Sequence, residues 1–197
     1  MSLRRPDWLA ELQSVLLAAM VLTSAVIAFG LIAPAVDDTV TFTVPAVSVD
    51  GLTDVHGSLR PNAAVDPDGD VDVLVTGPSA YQRVLHVLTG LPSYAVGLVM
   101  LVLLWSTVRL ARRTGPFEQP VVRRLTWLGF VVVAGGLLAD AVQLSATFLA
   151  SETLFDGYLS ASYAMSWWWL LAGIGFLAVA ELVKRGAAMR AELDAVV

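Results

Sequence analysis

The chain is expected to be an all-α membrane protein: a four-transmembrane-helix bundle with a small extracytoplasmic β-rich insertion between helices 1 and 2. Three observations predict this. Four long apolar runs, at residues 12–36, 91–110, 125–150 and 163–183, fill much of the 197-residue sequence. Each approaches the ~20 mainly apolar residues that a bilayer-crossing helix needs. Only 15% of residues are charged and mean hydropathy is +0.73, where soluble proteins carry about 25% charged residues. Third, the stretch between the first two runs alternates with a period of two, the pattern of strands.

Charge orients the predicted spans. Ten of the twelve basic residues lie at Arg4 and Arg5, in 109–124, or in 184–190. The remaining polar segments hold only Arg60 and Arg83, and carry ten acids, among them Asp37, Asp38, Asp66, Asp68, Asp70, Asp72, Glu152 and Asp156. Basic loops stay in the cytoplasm. Both termini and the middle loop are therefore expected inside, in a multi-pass protein of the plasma (inner) membrane. Four crossings require the same parity.

Taken in order, residues 1–11 are a short cytoplasmic lead, with Trp8 suited to the interface. Residues 12–36 form the first span, which ends near Pro34. Arg4, Arg5 and Ala33-Pro34-Ala35 imitate a secretory signal. The apolar stretch exceeds the ~7–15 residues of a signal's core, so an uncleaved anchor is expected. Residues 37–90 hold the outer β-rich segment plus an amphipathic helix. In Thr39-Val40-Thr41-Phe42-Thr43-Val44 the even positions are apolar, and in Val71-Asp72-Val73-Leu74-Val75 the odd ones. A hairpin or small three-stranded sheet resting on helix ends is expected, since two strands alone are marginal. Tyr81, Val84, Leu85 and Leu88 then recur at helical spacing, with a bend marked by Gly90 and Pro92. The second span is 91–110, the basic cytoplasmic loop 111–124, the third span 125–150, the short outer loop 151–162 and the fourth span 163–183. Residues 184–197 continue as a cytoplasmic helix.

Asp66-Pro67-Asp68-Gly69-Asp70-Val71-Asp72 resembles a calcium loop. The required glycine falls on Val71 and the closing carboxylate on Gly77, so an acidic turn entering a strand is expected, with a weak outer cation site left open. Asp140 is the sharpest residue, about 22 Å along the third helix at ~1.5 Å per residue. Gln143 shares its face at i+3. Ionisable groups at such depth point by default to function. Thr23, Ser24, Ser162, Tyr163, Ser166 and the three tryptophans at 167–169 are within hydrogen-bonding reach in depth, so a packing role stands beside proton or ligand sensing. Glu181 is followed by Arg185 at the favourable i+4 spacing. Trp167, Trp168 and Trp169 point in three directions and suit an interfacial belt rather than one cage wall. Gly129, Gly135, Gly136, Gly173 and Gly175 read as close-approach points between helices. Arg123 and Arg124 belong to the basic loop, which fits topology and anionic lipid better than nucleic acid. Met189, Leu193, Val196 and Val197 form a short apolar stripe beyond the last span.

With no cysteine, thiolate metal sites and Cys nucleophiles are excluded. No nucleophile–base pair, HExxH spacing or phosphate-binding glycine loop occurs, and His56 and His86 are both external. No catalytic, metal or cofactor residue is expected, and the chain reads as a non-enzyme.

Two segments resemble a known family. Gly115-Pro116-Phe117 with Val122-Arg123-Arg124-Leu125 and Leu128-Gly129 resembles its "D-P-F … v-r-r-L … l-G" loop, with Gly115 standing where Asp is usual. Ala180-Glu181-Leu182-Val183-Lys184-Arg185-Gly186, then Met189-Arg190, resembles its "A-E-V-F-R-R-G … L-R-E-D" ending, although this chain closes on Asp194-Ala195-Val196-Val197. Pro78, Gln82 and Arg83 match a "P-x-x-x-Q-R" element. The family, DUF2975, is a group of bacterial four-pass membrane proteins of unknown function. The resemblance implies a partner of the small helix-turn-helix regulators often encoded beside its members. The expected function is thus non-enzymatic signalling or regulation through a cytoplasmic transcriptional regulator. The alternative is a small transport or immunity-type protein with a polar intramembrane site at Asp140. The bilayer is the other partner; direct nucleic-acid contact is not expected, and homo-oligomerisation is left open.

Overall fold

A computed structural model of the chain describes residues 8–45, 70–115, 117–154 and 166–194. Among them are α1 (Trp8–Val36), β1 (Thr39–Pro45), β2 (Asp70–Thr76), α2 (Ala80–Thr114), α3 (Gln119–Leu154) and α4 (Trp168–Asp194). Three helices, α1 from Ala10, α2 and α3, are long and apolar enough to cross a membrane. In α4 the apolar stretch meets Glu181, Lys184 and Arg185 too soon after Trp168 to reach that length. Residues 155–165, which include the first part of the expected fourth span, lie outside the described ones.

The exposed side chains of α1 state the environment plainly. Val15, Leu17, Val21, Leu22, Phe29 and Ile32 all lie open on its surface. Leaving such side chains in water forgoes about 1.5–3 kcal/mol each relative to burial. A lipid surround removes that cost. The chain is a membrane-embedded protein.

The described residues divide into two units. One contains 8–28, 93–115, 117–140 and 166–194, and the other 29–45, 70–92 and 141–154. In the first, Leu125, Leu128 and Val132 of α3 and Ala180 of α4 form the core. Met100, Leu103 and Leu104 of α2 pack on it, as do Trp169, Ala172 and Phe176 of α4. Gln13 of α1 accepts a hydrogen bond from Arg112 Nη1 at 2.6 Å.

In the second unit β1 and β2 pair antiparallel, with Val40 opposite Val75 and Phe42 opposite Val73. The alternation places Val40 and Phe42 on one face, where they pack with Leu85 of α2 and with Ala146 and Ala150 of α3. The sheet thus rests on helix ends, which supply the burial two strands lack. Only two strands are found among the described residues, and residues 46–69 lie outside them. Thr43 Oγ1 donates to Asp72 Oδ1 across the strands at 2.9 Å.

The start of α2 explains the Pro78-to-Arg83 element. Gln82 N donates to Ser79 Oγ and Ser79 N donates to Gln82 Oε1 at 2.9 Å, a reciprocal capping box. Arg83 Nη1 donates to the carbonyls of Pro34 and Ala35 at 2.7 and 3.0 Å. Those are end carbonyls of α1, which have no partner within their own helix. The glutamine therefore starts one helix and the arginine closes another.

The expected amphipathic helix and second span are one helix: α2 runs from Ala80 to Thr114, with Pro92 inside it.

Candidate functional site

The polar positions of α3 are the natural starting point. Pro92 offers no N–H to the Leu88 carbonyl, and its ring crowds that side of the ladder. Gln143 Nε2 donates to the Thr89 carbonyl at 3.0 Å and approaches the Gly90 carbonyl at 3.5 Å. In an apolar setting, loosened backbone carbonyls persist only when something re-satisfies them. Gln143 thus supplies an external donor to the turn of α2 that precedes Pro92. Asp140 stands one turn earlier on α3 and is buried, 6% exposed. It holds an interaction partner of its own. Sequence reading placed Asp140 and Gln143 on one helix face but missed the backbone contact. An interior proline in α2 was the signal for it.

The glycines along α3 and α4 form a close seam. A Cβ at Gly129 would meet Leu177 at 2.7 Å and the Gly173 carbonyl at 3.0 Å. A Cβ at Gly173 would overlap Val133, and one at Gly136 would overlap Trp169. Gly135 is looser, with Val96 at 3.4 Å. Gly175 is a correction: nothing lies within 4 Å of its added Cβ. It is two residues from Gly173 and therefore faces another way. The tryptophans diverge as expected. Trp167 and Trp168 are exposed, while Trp169 packs into the core. Gly136 and Asp140 are one turn apart, so Trp169 sits a turn from the carboxyl on the same face of α3.

At the other end of α3, the two segments that carried the family resemblance come together. Gly115 has φ +108°, a conformation side chains rarely adopt, and its N–H donates to the Ala111 carbonyl at 2.9 Å. Glycine here lets the chain leave α2. A Cβ at Gly186 would meet the Phe117 ring at 3.0 Å. The phenylalanine between α2 and α3 therefore lies close against α4 at Gly186, where a larger residue would push the ring aside. Five residues before Gly186, Glu181 Oε1 accepts from Arg185 Nε at 3.2 Å, and Oε2 from Lys184 Nζ at 3.5 Å. These pairs are exposed to solvent and contribute little. Met189, one turn past Gly186, is 60% exposed. Leu193 lies on α4, but its side chain, like Val196 and Val197, is outside the described residues.

Arg124 Nη1 donates to the Ser106 carbonyl of α2 at 3.4 Å, and Arg123 is exposed beside it. Arg109 lies over the Trp105 ring at 5.2 Å, a cation–π contact. Among the described residues, no carboxylate pairs with Arg123 or Arg124. Also among them, no group of three or more His, Cys, Asp or Glu is placed to hold a metal ion. Residues 66–69 of the acidic turn, and His56, lie outside the described residues.

Comparison with known proteins gives one match. Residues 76–197, more than half of the chain, match a family model described as "Protein of unknown function (DUF2975)". No curated protein and no solved structure matches.

Proposed function

The chain belongs to the DUF2975 family, and from that premise we propose that it is a four-pass, non-enzymatic regulatory protein of the bacterial inner membrane that docks a cytoplasmic transcriptional regulator. In this reading residues 163–183 supply the fourth span, both termini face the cytoplasm, and the two-stranded sheet lies outside. The partner class rests on the family resemblance. The observation that carries the docking surface is the seating of Phe117 against Gly186. It joins the basic ends of α2 and α3, which continue helically through most of the expected 111–124 loop, to the end of α4 in one surface, with Met189 exposed upon it. The surface is basic at its margin and apolar at its centre, as helix-in-groove partners require.

The test is recovery of partners from native membranes with the full-length protein. Met189→Glu combined with Leu193→Glu should abolish partner recovery and leave insertion intact, because both residues follow the last span. Unchanged recovery would remove this surface from the account.

A second reading, a small transport or immunity-type protein, is favoured by the burial of Asp140 within α3. The sequence has no cysteine, so Asp140→Cys gives a background-free probe. Reaction with a membrane-impermeant maleimide supports a wet path there, and silence supports packing.

A further inference from the structure

We propose that the groove between α2 and α3 is a binding site for one anionic phospholipid, its phosphate held by Arg123 and Arg124 and an acyl chain lying along the apolar wall. The inference rests only on the chain lying in a bilayer, and not on the regulator reading. The groove has a volume of about 910 Å³, within the ~300–1,000 Å³ of ordinary ligand pockets. Its lining changes character along its length. Ser106, Arg123 and Arg124 stand at the end near the start of α3, and Leu103, Trp127 and Val131 continue inward. Val131 lies two turns beyond Arg124, about 10 Å at ~1.5 Å per residue. A polar end followed by an apolar wall of that length is the profile of a headgroup and the first part of an acyl chain.

Charge selects the anionic class. No carboxylate lines the groove, and among the described residues none pairs with either arginine. Guanidinium groups bind phosphate through paired N–H donors. Basic pockets between membrane helices favour anionic headgroups for the same reason. Trp127, largely exposed on the groove wall, is amphipathic and suits the boundary between headgroup and hydrocarbon. A soluble phosphate ligand would gain nothing from Leu103, Trp127 and Val131.

The test uses the full-length protein in neutral detergent, with lipid retention measured by native mass spectrometry. Phosphatidylglycerol should be retained in preference to phosphatidylcholine. Glycerophosphoglycerol, the same headgroup without chains, should fail to displace it. Arg123→Gln with Arg124→Gln should weaken retention roughly thirtyfold at low ionic strength, about fivefold per arginine. Lys184→Gln with Arg185→Gln removes the same charge from α4 and should change retention by less than about twofold. Val131→Trp leaves the charges untouched and should also displace the lipid, which covers the case where the arginine variant fails to fold. Equal retention of phosphatidylcholine would overturn the site. Equal loss in the α4 variant would reduce it to bulk charge, and displacement by the free headgroup would make it a phosphate site instead.

Discussion

Replacing Gln143 by leucine should destabilise the protein by about 1–2 kcal/mol, and most of that loss should disappear when Pro92 is replaced by alanine. The magnitude follows from what the amide does. Its Nε2 reaches the Thr89 carbonyl at 3.0 Å and the Gly90 carbonyl at 3.5 Å. Polar contacts between membrane helices average ~0.6 kcal/mol with a maximum of ~1.7, and orphaning a buried acceptor costs ~1–3. The 3.0 Å bond to a carbonyl in the turn before Pro92 belongs at the upper end of the first range. Alanine at 92 restores the N–H that the Leu88 carbonyl lacks and removes the crowding ring. A tighter ladder through that turn should leave the Thr89 and Gly90 carbonyls needing Gln143 less. A double-mutant cycle, read as thermal or denaturant unfolding in detergent, should give a coupling of about 1 kcal/mol between the two positions. Strict additivity, within ~0.3 kcal/mol, would show that Gln143 does not serve the proline break.

Two further predictions rest on α3 and its seam. Gly173→Val should cost on the order of 1–3 kcal/mol through overpacking against Val133, whereas Gly175→Ala should be neutral or stabilising by up to ~1 kcal/mol; thermal unfolding of both checks the direction in which α4 faces. Asp140→Asn should retain most of the stability that Asp140→Leu loses, about 1–2 kcal/mol, because the amide still satisfies the partner of a buried side chain. Equal damage from both, measured by folded yield in detergent, would show that the negative charge itself is required.

The spans and strands were largely legible in the sequence because each is a local property. Run length announced α1, α2 and α3, and alternation announced that Val40 and Phe42 share the buried face of β1. The divergence of Trp168 and Trp169 followed from helical geometry, whereas Trp167 lies in the turn before α4. The contact in the turn before Pro92 did not follow, since its donor, Gln143, sits on α3, 51 positions beyond the proline in the chain. Gly175 looked equivalent to Gly173 because composition marks small residues without saying which of them faces α3. The seating of Phe117 on Gly186 and the groove beside Arg123 and Arg124 likewise depend on which helix faces meet. The motif residues for the first were visible as a resemblance, but their contact was not.

Which surfaces meet the cytoplasm depends on how the chain threads the membrane. Reporter fusions placed after Val197 and within residues 60–70 test this directly, because four crossings put the first inside and the second outside. A cytoplasmic signal after Val197 with an external signal at 60–70 is the predicted result. An external C-terminus would contradict the fourth crossing, and with it the cytoplasmic docking surface built from the basic ends of α2 and α3 and the end of α4.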